Sequence, residues 1–354
     1  MNYTNLSKLT AIVALLFTVS VNAQDFTFQN YHWEDKNTVI DIPAQYKDEK
    51  EVVLSRVVKI ELATKGKGAA QYYMVHERTY INSNDAVERN NKVYIPFKMN
   101  ESVIETKVRV IQQNGKVTLF DKKDIKEEVD EEKQLKYNYF AITGLEKGSV
   151  IEKIYMLEEF PELDGKTMRM QSSVPIVSNE FQLIYPRHLK FKTKSSNGLP
   201  EAVEETAADT LKKTLTVKDN NIAALEDDEK YSNRDVYLKL FRYKLDENFY
   251  TGAKNINSYA KFTSNFYDRI NPTLDKKDLK TITDFCSQIQ KTNDIQAQIW
   301  NIENKIKKTI SFNLYAESAE SIAAILKNKQ ANKIDLLKLY SAVFREFKIE
   351  NKLV

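Results

Sequence analysis

The sequence predicts an α+β protein, an N-terminal antiparallel β-sandwich followed by a mainly helical domain. Two changes in pattern lead to that reading. From about residue 50 to 220, short runs rich in β-branched and aromatic residues follow one another, separated by turn residues. After about residue 250 the apolar residues recur at steps of three and four, the spacing of a helix with one buried stripe. A chain of 354 residues, 42% hydrophobic, is long enough to bury two separate cores.

The first segment stands outside that fold. "MNYTNLSK" is polar with a single cation, Lys8, and "LTAIVALLFTVSV" (9–21) is apolar but short for a membrane span. Val21 and Ala23 occupy the positions that a signal peptidase reads, so residues 1–23 are expected to be a signal peptide cut after Ala23. No cysteine follows the apolar run to carry a lipid, and no later run is long enough for a transmembrane helix. The mature chain is therefore expected to be exported, periplasmic or extracellular, and soluble. Cys286 is the one cysteine, so no intramolecular disulfide can form, and in "TITDFCSQIQ" it reads as a small buried hydrophobe.

The β-sandwich is placed at 24–222. Its strands begin with "VVLSRVVKIEL" (52–62), "QYYMVHERTYI" (71–81), "KVYIPF" (92–97), "ETKVRVIQQ" (105–113) and "KVTLF" (116–120). Asn114-Gly115 between the last two is a strong hairpin signal. They continue with "YNYFAIT" (137–143), "SVIEKIYMLEEF" (149–160), "MRMQSSVPI" (168–176), "EFQLIYP" (180–186), "LKFKTK" (189–194) and "KKTLTVK" (212–218), with the longest gap at 195–210. Residues 223–250 read as a connecting segment with one strand at 236–243. The helical domain follows at 251–354. One helix ends at Pro272, and the next carries Leu279, Ile282, Phe285, Cys286 and Ile289 on one face. A third carries Ile295, Ile299, Ile302 and Ile306, and a last helix, 333–347, carries Leu336, Leu337, Tyr340, Val343, Phe344 and Phe347.

Composition removes several function classes. The 53 basic and 50 acidic side chains leave a formal charge of +3 with no basic stripe, so nucleic acid is not an expected partner. With 8 glycines there is no glycine-rich phosphate loop. The acidic run "KEEVDEEK" (126–133) is expected to be a solvated loop. Glu158 and Glu159 are neighbours on one strand and face opposite sides, so they cannot serve as an acid–base couple. His76 lacks a second ligand at metal spacing and is expected to be a hydrogen-bonded strand histidine. No metal, cofactor or nucleotide site is expected.

Several stretches carry a resemblance. "GLEKGSVIEKIYML" (144–157) and "MQSSVPIVSNEFQLIYP" (170–186) resemble blocks of an uncharacterised β domain that precedes transglutaminase-like domains in exported bacterial proteins. "AALEDDEKYSNRD" (223–235) stands where the two domains join. "IWNIENKIKKTISFNL" (299–314), "ESIAAILKNK" (320–329) and the helix from 333 resemble the start of the transglutaminase-like core. That resemblance implies a Gly-x-Cys turn opening the last helix, then a strand with a histidine, then an aspartate. A thiol at a helix N-terminus is drawn toward thiolate by unpaired N–H groups, and histidine takes its proton.

This chain departs from that pattern. The turn reads "QANKID" (330–335), the family's nucleophile falls near Lys333, and 330–335 contains no Cys, Ser or Thr. His32, His76 and His188 all precede the helical half, and the sequence stops at Val354, before the histidine-bearing strand is due. Cys286 lies on another helix, and a solvated Lys333 is a poor amine nucleophile. Two readings follow. One is an exported, non-catalytic binding or scaffold protein with a degenerate or truncated transglutaminase-like domain. The alternative is an incomplete copy of a cysteine-dependent enzyme that processes peptides or amides. The expected partners are protein or peptide, and the apolar C-terminal helical face permits self-association.

Overall fold

The computed structural model describes all residues except 1–25, 35–41, 66–67, 132–134, 207–210, 227–230, 232 and 353–354. The expected signal peptide, 1–23, lies outside the described residues. The protein is a mixed α+β fold with a large β-rich N-terminal part and helices mainly toward the C-terminus. It divides into two compact units, residues 1–128 with 137–244 and residues 129–136 with 245–354. Among the described residues, no helix is long and apolar enough to cross a membrane.

Strands β1 (Glu51–Lys65) and β2 (Gly68–Ile81) form a long hairpin, followed by a short helix α1 (Asn84–Arg89) capped by the Ser83 hydroxyl. Next come β3 (Lys92–Lys98), β4 (Ser102–Ile111), β5 (Val117–Phe120), β6 (Ile125–Asp130), β7 (Leu135–Ala141) and β8 (Val150–Glu159). Then follow β9 (Lys166–Arg169), β10 (Ile176–Pro186), β11 (Leu189–Ser195), β12 (Val203–Thr206), β13 (Lys212–Ile222) and β14 (Leu240–Asn248). One sheet runs β12-β13-β10-β1-β2-β8-β4-β5, and two three-stranded sheets run β3-β7-β6 and β11-β14-β9.

Both small sheets lie on one face of the large one. Val93 and Ile95 of β3 and Phe140 of β7 share a buried cluster with Val108, Val110, Phe120 and Ile151 of the large sheet. Phe241 and Tyr243 of β14 place their rings 5.3 and 5.9 Å from that of Phe181. Phe181 lies in one cross-strand row with Val58, Val75 and Tyr155, and the same face of β2 carries Ile81 of the first cluster. The opposite face is covered by residues 26–34, with Phe26 stacked on Tyr72 at 4.2 Å and Phe28 buried beside Met74 and Ile154.

The structure corrects the wholly antiparallel expectation. β1 and β10 pair in parallel, Val53 against Ile176 through Glu61 against Ile184. Alternation of apolar residues says which face of a strand is buried and is silent on the direction of its neighbour. The acidic run starting at Lys126 lies largely in β6, with exposed side chains, and β12 falls inside the stretch read as the longest gap. Residues 168–176, read as one strand, are broken after Arg169 and resume pairing at Ile176. The Asn114-Gly115 hairpin forms as a tight turn. The Gly115 N–H donates to Gln112 O at 2.9 Å, and Gly115 takes φ +83°, which a side chain would oppose.

In the second unit, α2 (Tyr259–Ile270), α3 (Lys276–Ser287) and α4 (Ile295–Thr309) precede β15 (Ser311–Phe312). Helix α5 (Ile322–Asn328), β16 (Gln330–Ala331) and α6 (Lys333–Glu346) complete it, and β15 pairs in parallel with β16. The core joins Ile282, Phe285, Cys286, Ile302, Ile306, Ile322, Ile325, Leu339, Ala342 and Val343. Most of the expected stripes are buried: Ile282, Phe285 and Cys286 of α3 with Ile289 just after it, Ile302 and Ile306 of α4, and Val343 of α6. Leu279 and Ile295 are exposed, while Leu339 and Ala342 are the buried centre of α6, flanked by Leu336, Tyr340, Phe344 and Phe347. Two aspartates share the buried faces. Asp278 accepts from Ala323 N at 2.8 Å and Asp335 from Ala319 N at 2.8 Å, so each helix turns one hydrogen-bonded carboxylate inward.

Candidate functional site

The start of α6 is where the sequence placed the nucleophile of the resembling family. Lys333 is the first residue of that helix and its side chain is exposed. The cap is Asn332. Its Oδ1 accepts from Asp335 N at 3.0 Å, and its Nδ2 donates to Ala316 O and Ser318 Oγ, both at 3.0 Å. Ser311 N and Asn313 N bond Lys329 O and Ala331 O at 2.8 and 3.0 Å across the β15–β16 pair, so the turn is held from both sides. Asp335 also accepts from Lys338 Nζ at 3.2 Å. The helix terminus is thus closed by an amide side chain whose hydrogen-bonding capacity is used in structure.

The other candidates lie on other elements. Cys286 sits on α3, 4% exposed, among Ile282, Phe285 and Ile289. Burial, with a contribution from Glu346, pushes its thiol up to about 12, so it is neutral and a poor nucleophile at neutral pH. His188 lies in the turn between β10 and β11, and His32 in the segment that covers the sheet. Glu158 and Glu159 do face opposite sides: Glu158 pairs with Lys65, and Glu159 accepts from Gln71 and Lys166 at 2.6 and 3.3 Å. Among the described residues, no group of three or more His, Cys, Asp or Glu is placed to hold a metal ion.

His76 belongs to a buried charged row on the face covered by residues 26–34. Pairing sets Arg78 beside Glu152 and Glu152 beside Arg109. Glu152, 2% exposed, accepts from His76 Nε2 at 2.8 Å and Arg109 Nε at 2.7 Å. Burial alone would raise its carboxyl, but the hydrogen bonds from His76 and Arg109 outweigh it and hold the group below its ordinary value. His76 Nδ1 lies 2.9 Å from the Tyr31 hydroxyl, Arg109 donates to Glu34 O at 2.9 Å, and its guanidinium stacks 4.6 Å from the Trp33 ring. Among the described residues, the bonds of Tyr31 and Glu34 to this row fasten residues 31–34 to the sheet.

A second charged row lies on the other face, and sequence reasoning missed it. Arg56, Glu77 and Lys153 are direct cross-strand neighbours on β1, β2 and β8. They floor a cavity of about 300 Å³, walled by Lys92 and Tyr94 of β3 on one side and Ser172–Val174 on the other. Lys153 Nζ bonds Glu77 Oε1 at 2.8 Å, and Arg56 Nη1 stands 3.9 Å from Glu77 Oε2. Burial opposes the charge on Glu77, but Lys153 and Arg56 prevail and keep its carboxyl below the ordinary range. Charges at positions that alternate with Val58 and Val75 were the available signal. Their convergence required the strand register.

Residues 68–226 match the family model described as "Domain of Unknown Function with solved-structure structure (DUF3857)". No curated protein matches the sequence. Among solved structures, the chain is similar to that of a "putative protease" from Parabacteroides distasonis, with a TM-score of 0.66 and 14% identity, over 84% of this chain and 58% of that one. The likeness is one of fold, and the chain spans less than two thirds of that protein. Aminopeptidase A of Legionella pneumophila (TM-score 0.32, 9% identity, 57% of this chain and 22% of that chain) and the M1 zinc metallopeptidase of Deinococcus radiodurans (0.31, 11%, 55% and 42%) are more distant.

Proposed function

We propose that this is an exported, non-catalytic binding or scaffold protein whose helical half is a degenerate transglutaminase-like domain. The observation that carries the reading is the start of α6, where Asn332 caps the helix through one hydrogen bond and ties it to residues 316–318 through two more, and an exposed Lys333 stands where the resembling family's thiol is expected. An Asn cap stabilises the helix, whereas a catalytic thiol there needs a free approach for substrate and a nearby base. Export rests on the order of charge, apolar run and small residues in 1–23.

A second reading, an incomplete copy of a cysteine-dependent enzyme that processes peptides or amides, draws on the fold likeness to the Parabacteroides protein. Amide turnover by the purified mature chain, assayed before and after thiol alkylation, separates the two. The expected outcome is no thiol-dependent turnover, no effect of Cys286→Ser on any turnover, and no alkylation of Cys286 at pH 8 until the protein is unfolded. Turnover lost in Cys286→Ser would refute the non-catalytic reading. N-terminal sequencing of exported material should begin at Gln24.

A further inference from the structure

We propose that the cavity over the Arg56–Glu77–Lys153 row binds one carboxylate group, carried by a ligand of about dipeptide size. The inference rests on the binding reading above and names its site and ligand class.

The row has a charge left over. Two cations face one carboxylate, so a single positive charge is uncompensated at the cavity floor, while Lys92 of the wall has its ammonium 5.1 Å over the Tyr139 ring. Glu51, the other acidic lining group, is engaged by Arg89 at 3.2 Å. Hydrogen-bonding capacity is left over as well. Arg56 donates through Nε to Asn179 Oδ1 at 3.4 Å and through Nη2 to Arg169 O at 3.2 Å. Those bonds fix the guanidinium plane while Nη1 stays beyond hydrogen-bond reach of Glu77. An ammonium has three donors, and the Lys153–Glu77 bond uses one of them. Two held cations with unspent donors over a closed floor form a pre-organised anion site.

Size and valence select the anion. About 300 Å³ is the lower end of ligand-pocket volumes and far exceeds one water's share. One surplus charge on the floor matches a monoanionic carboxylate better than a dianionic phosphate. The lining includes Val93, Ile151 and Val174 as well as Ser172 and Ser173, which suits the short, partly polar body of a peptide end or of a small amino-acid-like acid.

Isothermal titration calorimetry of the full mature chain tests the proposal with three probes: L-alanyl-L-alanine, its C-terminal amide, and inorganic phosphate. The free acid should bind, and the amide at least about tenfold more weakly, since it lacks the charge. Lys153→Gln should weaken the acid by a similar factor. Ser173 is exposed, so Ser173→Trp can block the cavity without touching the core, and it should abolish binding while the circular dichroism spectrum is unchanged. Equal affinity for acid and amide, tighter binding of phosphate, undiminished binding in Ser173→Trp, or no heat with millimolar acid would each overturn the proposal. Free alanine detected in the cell after titration would count against the non-catalytic reading instead, so the two failures are separable.

Discussion

Glu152 shows how much can hang on one side chain. It is buried, charged, and bonded to His76 and Arg109 across three strands. Removing one partner of such a group leaves the other charge buried without compensation, which costs about 3–5 kcal/mol. Glu152→Gln should therefore lower the urea midpoint strongly with little change in slope. The pH dependence follows from the direction of the shift. A carboxyl held below its ordinary 4.5 adds stability that is present above that value and is lost as pH falls through the lower, folded one. Urea midpoints measured from pH 6 down to 3 should fall, and the fall should be shallower in Glu152→Gln. A parallel fall in both proteins would mean that Glu152 is not a main acid-sensitive group.

At the scale of elements, the start of α6 is the decisive feature. Three hydrogen bonds run through the Asn332 side chain, one to its own helix and two to the 316–318 segment. Asn332→Ala should cost about 1 kcal/mol for the cap, and more because Ala316 O and Ser318 Oγ lose a donor. Asn332→Asp should keep the cap and lose the two donated bonds, and so fall between wild type and Ala in thermal unfolding. If Ala and wild type melt together, the cap is not holding the turn. On the β side, the edge strand β3 includes Pro96, a residue tolerated where no ladder partner needs its N–H. Lys92 at its start lies in the wall of the proposed carboxylate site.

The whole molecule has a separate core in each unit. The helical core gathers residues from Ile282 to Val343, whereas the β-rich unit has its own clusters around Phe140, Met74 and Ile176. Ile302 is fully buried in the helical core. Ile302→Ala should remove about 2–5 kcal/mol from that unit. Calorimetry should then show the transition assigned to the helices moving down while the β-rich transition stays in place. A single transition that shifts as a whole would show that the two cores unfold as one.

What could be read from residues alone was local and periodic. The strands from "VVLSRVVKIEL" and "QYYMVHERTYI" onward, the Asn114-Gly115 hairpin and the last helix follow from side-chain alternation, turn chemistry and helical spacing, which act within a few residues. That 330–335 holds no cysteine was likewise legible, because the residue types of one short stretch need no partner to be read. Tertiary structure decided what depends on register and direction. The parallel pairing of β1 with β10 and the inward, hydrogen-bonded carboxylates of Asp278 and Asp335 were not legible in period alone. Nor was the alignment of Arg56, Glu77 and Lys153 over a cavity, for those residues lie far apart in the chain and meet only when three strands pair in one register.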